Sequence, residues 1–212
     1  MKLQEIADAI EQTKASYFAE IVSDVDAAKA EASKIAADAT RSTDWIREQT
    51  DAVIERFNVE RKAKADAVAA KLETLYKDGL HAAADVFAKQ PTAGELAYLQ
   101  AFNMKERIVK ADVDSALLSL KSSAVATAAV CERAAAFGIK CDKSMPGYIA
   151  VSGAYGECLD ADKGLVMSYG HASRTGSGSA MVFSSDSLRE SMRAKYVANE
   201  FTNALRAVSD FE

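Results

Sequence analysis

Proline is nearly absent from this chain of 212 residues, which has two, Pro91 and Pro146. The first ninety residues hold none, and they hold a single glycine, Gly79. A stretch so free of punctuation excludes a turn-rich β architecture and predicts helix from Leu3 to Lys89, because proline and glycine are the residues that stop one. Histidine is scarce too, with only His81 and His171, and the cysteines are three, Cys131, Cys141 and Cys158. Two distant histidines and thiols without Cys-x-x-Cys spacing give no metal-ligand pattern, and an odd cysteine count gives no disulfide framework. Reduced thiols in a cytoplasmic setting, no metal and no cofactor are the expectation.

No run of about 18 apolar residues is present to cross a bilayer. Met1-Lys2-Leu3-Gln4-Glu5 leads straight into acidic helix, so no signal peptide is expected. Basic charge is in deficit, 26 Lys and Arg against 31 Asp and Glu, which makes nucleic acid a poor partner. The local set Arg61, Lys62 and Lys64 reads as the solvated flank of a helical seam. The mix of 49% hydrophobic with 27% charged residues is that of a folding chain.

What is present is periodicity. Phe18, Ile21, Val25, Ala28, Ala32, Ile35 and Ala39 alternate spacings of three and four, the seam of a coiled coil, while Leu3, Ile6, Ile10 and Tyr17 lie on a stripe offset by one residue. Thr40-Arg41-Ser42-Thr43-Asp44 offers successive N-cap residues and suggests a turn, the competing reading being one uninterrupted helix. Beyond it Ile46, Val53, Phe57, Val68, Leu72, Leu75, Ala82 and Val86 resume the stripe. An antiparallel helical hairpin is the first expectation, with Gly79 marking a bend or a close helix contact at about 1 kcal/mol against alanine. The seam residues Phe18, Ile21, Val25, Ala28, Ala32, Ile35, Val68, Leu72 and Leu75 are expected to form an interface between helices, either of one chain or of several copies.

Lys89-Gln90-Pro91-Thr92 is the clearest boundary, and Thr92 with Glu95 forms a capping-box pattern. Three helices are expected after it, the first carrying Leu96, Tyr98, Leu99, Phe102 and Met104, the second near 110–120 and the third near 122–137, with Gly138 as C-cap. From Lys140 to Ser184 glycine and serine punctuate short runs, read as strands at 148–151, 165–169 and 180–183 with turns at 160–164 and 174–178. A last helix follows a cap at Ser185 or Asp186, with Leu188, Met192, Tyr196, Phe201, Leu205 and Val208 on its apolar stripe. The expected fold is therefore mainly α. A helical hairpin or coiled-coil rod over 1–90 precedes a small α+β module over 91–212, whose β-meander spans about 145–184.

Candidates for chemistry are few. Gly170-His171-Ala172-Ser173-Arg174-Thr175-Gly176-Ser177-Gly178-Ser179 lacks the Gly-Lys-Ser/Thr ending of a phosphate cradle and reads as a hairpin tip. His171, Ser173 and Cys158 show no nucleophile–base spacing, so no catalytic residue is assigned and no enzyme is expected. Asp160 and Asp162 lack the rest of a calcium loop and read as turn formers, while Tyr148, Tyr155 and Tyr169 read as packing on a sheet face.

The segments from Glu95 to Ile108 and from Lys110 to Ala116 are similar to a part of tailed-bacteriophage structural proteins, in which a long helical region precedes a short helical module. The resemblance spans Pro91 to Ile139. It implies a non-enzymatic virion component, associated with the head or its assembly, present in the virion or in the host cytoplasm during assembly. Its partners would be copies of itself and other virion or assembly proteins; no functional residue carries over. The alternative of a helical-bundle effector acting on membranes is opposed by Glu5, Asp8, Glu11, Asp24 and Asp26, since interfacial helices favour Lys and Arg.

Overall fold

The computed structural model describes residues 2–142, 145–174, 181–183 and 199–212. Among them the order is α1 (Leu3–Ala36), α2 (Thr43–Ala88), α3 (Ala93–Asn103), α4 (Lys110–Ser119), α5 (Ala124–Ala136), α6 (Tyr148–Ser168), β1 (Ala172–Arg174), β2 (Met181–Phe183) and α7 (Glu200–Ser209). The fold is mainly α and begins with a long hairpin of α1 and α2, so the uninterrupted helix is excluded. The turn between them is built from short polar side chains. Asp38 Oδ1 accepts Thr40 N–H at 3.0 Å, and Ser42 Oγ caps α2 by accepting Trp45 N–H at 3.2 Å. The Arg41 guanidinium lies 4.8 Å from the centre of the Trp45 ring, covering the apolar face that the turn leaves open.

The chain divides into two compact units, one made of Met1–Ile10, Thr74–Leu159 and Asn199–Glu212, the other of Glu11–Glu73 and Asp160–Ala198. In the first unit α3, α4 and α5 enclose a core of Leu99, Phe102, Ile108, Val113, Ala116, Leu120, Ala126, Val130 and Ala134. Their ends follow local chemistry. Thr92 and Glu95 form the capping box of α3, the Asp112 carboxylate accepts Val109 N–H at 3.0 Å ahead of α4, and Ser123 caps α5. Gly138, at φ 70°, ends α5 in a Schellman motif, with Gly138 N–H donating to Ala135 O and Ile139 N–H to Ala134 O, both at 2.9 Å.

A second apolar cluster of this unit forms on α7, whose cap Asn199 accepts Thr202 N–H and donates to the Tyr76 hydroxyl. Phe201 stacks on Tyr76 with ring centres 4.9 Å apart, and Tyr155 meets it edge-on. Gly79 is the close contact that its position suggested: a methyl added there would stand 2.8 Å from Leu205 and 3.3 Å from both Ile6 and Phe201.

Among the described residues the expected β-meander is not found. Residues 148–151 and 165–168, read as strand, and 160–164, read as turn, all belong to the single helix α6. The reason is its stripe: Val151, Leu159, Val166 and, just past the helix, Tyr169 are buried, with Tyr155 and Asp162 completing a helical repeat of three and four. The glycines that looked like punctuation, Gly153, Gly156 and Gly164, have no atom within 4 Å of an added methyl, so they occupy the open side of the helix. The described β structure is one antiparallel ladder of three residues per strand, pairing Ala172 with Phe183, Ser173 with Val182 and Arg174 with Met181. The expected turn at 175–178, Ala180 of the third strand, the cap at Ser185 or Asp186 and the helix positions Leu188, Met192 and Tyr196 lie outside the described residues. Phe201, Leu205 and Val208 are buried on α7 as expected.

Candidate functional site

The helical seam is turned inward. Of its nine residues Phe18, Ile21, Val25, Ala28, Ala32, Leu72 and Leu75 are buried, while Ile35 and Val68 are half-buried, all without any second chain. The offset between the two stripes of α1 also resolves. Lys14 is buried between Ile10 and Tyr17, so Leu3, Ile6, Ile10, Lys14, Tyr17, Ile21, Val25, Ala28 and Ala32 form one continuous helical stripe.

The partner of Lys14 lies in the second unit with it. Lys14 Nζ donates to Asp162 Oδ2 at 2.8 Å, the side chains being 1% and 11% exposed. Each charge occupies a core position of its own helix, which is why Asp162, read as a turn former, is instead a buried anion. Around this pair the end of α6 is held by polar groups of α1 and α2. Tyr17 Oη donates to Val166 O at 2.9 Å, and burial pushes its phenol above the ordinary range. Arg61 Nη1 donates to Met167 O and Tyr169 O, both at 3.0 Å, supplying cations to the carbonyl end of the helix. Asn58 closes a two-bond clasp on the backbone of Ala172, at 2.9 Å in each direction. Gly170, at φ 75°, makes the exit possible, since a side chain there would be strained and would collide with Ile21.

These polar groups serve the fold, and the residues weighed for chemistry are dispersed. His81 and His171 are exposed, Cys158 is half-buried on α6 in the first unit, and His171 belongs to the second. Tyr148, Tyr155 and Tyr169 share no sheet face: Tyr148 meets Phe87, Tyr155 meets Tyr76 and Phe201, and Tyr169 is buried edge-on against Phe18. Of the basic set, Arg61 is buried, Lys62 pairs with Asp66, and Lys64 bridges Asp24 and Glu20, whose carboxylates hold its ammonium above the usual lysine range. No group of three or more His, Cys, Asp or Glu among the described residues is placed to hold a metal, and none of the described helices is long and apolar enough to cross a membrane.

Most of the exposed large apolar side chains lie in the first unit, with Val59 and Met167 exposed in the second. Met104 is 82% exposed, Leu118 73% and Ile149 89%, and Leu96, Val109 and Phe137 are exposed beside them in the sequence of the same module. One cavity of about 720 Å³ is floored by Leu117, Leu118, Met145 and Phe211 and rimmed by charges of both signs, Asp114, Asp142 and Asp210 with Lys121 and Arg206. The rim is held in place: Lys110 Nζ pairs with Asp114 at 2.8 Å and Asp142 at 3.0 Å, and Arg206 with Asp8 at 2.9 Å. Such a surface binds apolar side chains and orders charges around them, and the one hydroxyl among its described lining residues, that of Thr127, donates to Leu120 O at 3.0 Å. Sequence reading overlooked it, although two adjacent leucines on a ten-residue helix carried the signal, because only one of them can face the core. No protein-family model, no curated protein and no solved structure matches the chain.

Proposed function

We propose that this chain is a non-enzymatic structural or assembly protein of a phage-like virion, acting through contacts between its own copies and with other assembly proteins. The observation that carries the reading is the division of apolar surface. The seam is consumed by the fold of a single chain, whereas Met104, Leu118 and Ile149 stand open to water. Large exposed apolar side chains on a soluble chain favour a protein contact, since each gains on the order of 1.5–3 kcal/mol when fully buried. The occupant is a second copy of the same surface. A rim that carries both Asp114, Asp142 and Asp210 and Lys121 and Arg206 is self-complementary, as a two-fold contact requires. The virion assignment rests on the similarity of residues 91–139 to tailed-phage structural proteins.

Lysine-directed crosslinking of a mixture of ordinary and ¹⁵N-labelled chain tests the contact. Mixed-isotope crosslinks at Lys121 are expected, with Lys29 and Lys34 of α1 giving none. Crosslinks confined to α1, or to single chains, would refute the assignment of the contact to this surface.

A further inference from the structure

The end of α5 brings two thiols together. Cys131 is buried on α5, and the Schellman turn at Gly138 reverses the chain so that Cys141, half-buried, packs back against the core of α3, α4 and α5. Both also line one surface cavity of about 430 Å³ together with Ala135, Gly138, Ile139 and Lys140, which gives a small reagent access to them.

We propose that Cys131 and Cys141 are a dithiol modification site that low-molecular-weight disulfides, such as oxidised glutathione, convert to an intrachain disulfide. The spacing of ten residues is bridged by a helical turn and a glycine-dependent reversal that returns Cys141 to the cavity Cys131 lines. The reaction balances in two exchanges. Cys141, the more accessible thiol, gives its proton to water and attacks one sulfur of the small disulfide, whose other half leaves as a thiolate and takes up a proton. Cys131 then loses its proton and attacks the Cys141 sulfur, releasing the second small thiol. Two protein thiols and one small disulfide become one protein disulfide and two small thiols, with two electrons passing to the reagent.

The environment sets the speed. Burial first, and the neighbouring Cys131 thiol second, push the Cys141 thiol up to about 11, so its thiolate is scarce at neutral pH. The pair therefore stays reduced through brief exposure and closes on longer contact with an oxidising medium. The rate should rise about tenfold for each pH unit between pH 7 and 9, because the thiolate fraction rises by that factor below the pKa.

The test incubates the full-length chain with oxidised glutathione, quenches with iodoacetamide and maps peptides without reduction. Before the quench the expected product is about 2 Da lighter than the reduced chain, and after it the chain carries a Cys131–Cys141 crosslink with Cys158 as its one alkylated cysteine. Cys158→Ser should leave this product unchanged, and Cys141→Ala should abolish it. A stable glutathione adduct on Cys141 with no crosslink would overturn the proposal, as would crosslinks to Cys158 forming equally fast. Should Cys141→Ala fail to fold, the wild-type and Cys158→Ser maps decide the matter alone.

Discussion

Replacing Asp162 by leucine removes a counter-charge of Lys14, whose ammonium is 1% exposed within an otherwise apolar stripe. Breaking a buried pair from one side costs about 3–5 kcal/mol, and the 11% exposure of the Asp162 side chain, which admits some water, places this pair near the lower end. Lys14→Met should cost a similar amount, because the buried carboxylate then loses this cation. The double variant should lie within about 1 kcal/mol of the natural chain, since two apolar side chains of similar size fill the same space without desolvating charge. The assay is thermal unfolding followed by far-UV circular dichroism on all four proteins. At about 2–4 °C per kcal/mol for a chain of this size, each single variant should melt roughly 6–12 °C lower. Single losses below about 1 kcal/mol, or a double variant equal to the sum of the singles, would refute the reading that the two charges are retained as a mutually dependent core pair.

Three further outcomes are expected. Gly79→Ala gains about 1 kcal/mol of helix propensity but meets Leu205 at 2.8 Å in a fully buried site, where overpacking costs about 1–3 kcal/mol, so denaturant titration should show a net loss. Thr92→Ala should destabilise the α3 end by about 1 kcal/mol through the lost cap, read as a lower unfolding midpoint. The Glu95 carboxyl is held below its usual range by Ser122 first and then by the Thr92 backbone and hydroxyl. A depressed carboxylate stabilises the fold above its unfolded pKa and loses that contribution as pH falls through the folded value. Unfolding followed below about pH 4 should therefore be less pH-dependent in Glu95→Gln than in the natural chain.

The features legible in the sequence are those set by neighbours along the chain. Thr92 with Glu95 and Gly138 fix helix ends through contacts three to five residues away, and the structure places the start of α3 and the end of α5 accordingly. The turn expected at 40–44 is legible for the same reason, although the structure places it at 37–42 and gives Thr43 and Asp44 to α2. What escaped depends on distant partners. Asp162 interrupts an apolar stripe and resembles a turn until Lys14, 148 residues earlier in the chain, is seen beside it. Arg61 reads as surface charge until the carbonyls of Met167 and Tyr169 are found facing it. The glycines of α6 mislead because local propensity is weak beside the burial of Val151, Leu159 and Val166. The thiol pair is close in sequence, yet it depends on a reversal whose angle only the folded chain fixes.

Size-exclusion chromatography with multi-angle light scattering on the natural chain and on Leu118→Glu tests the central claim most directly, because Leu118 is 73% exposed and its replacement leaves the core intact. The account predicts a multimer that falls to the monomer mass of 22.7 kDa in the variant, with an unchanged circular dichroism spectrum. A variant that keeps the mass of the natural chain, whether both are monomers or both multimers, would contradict it.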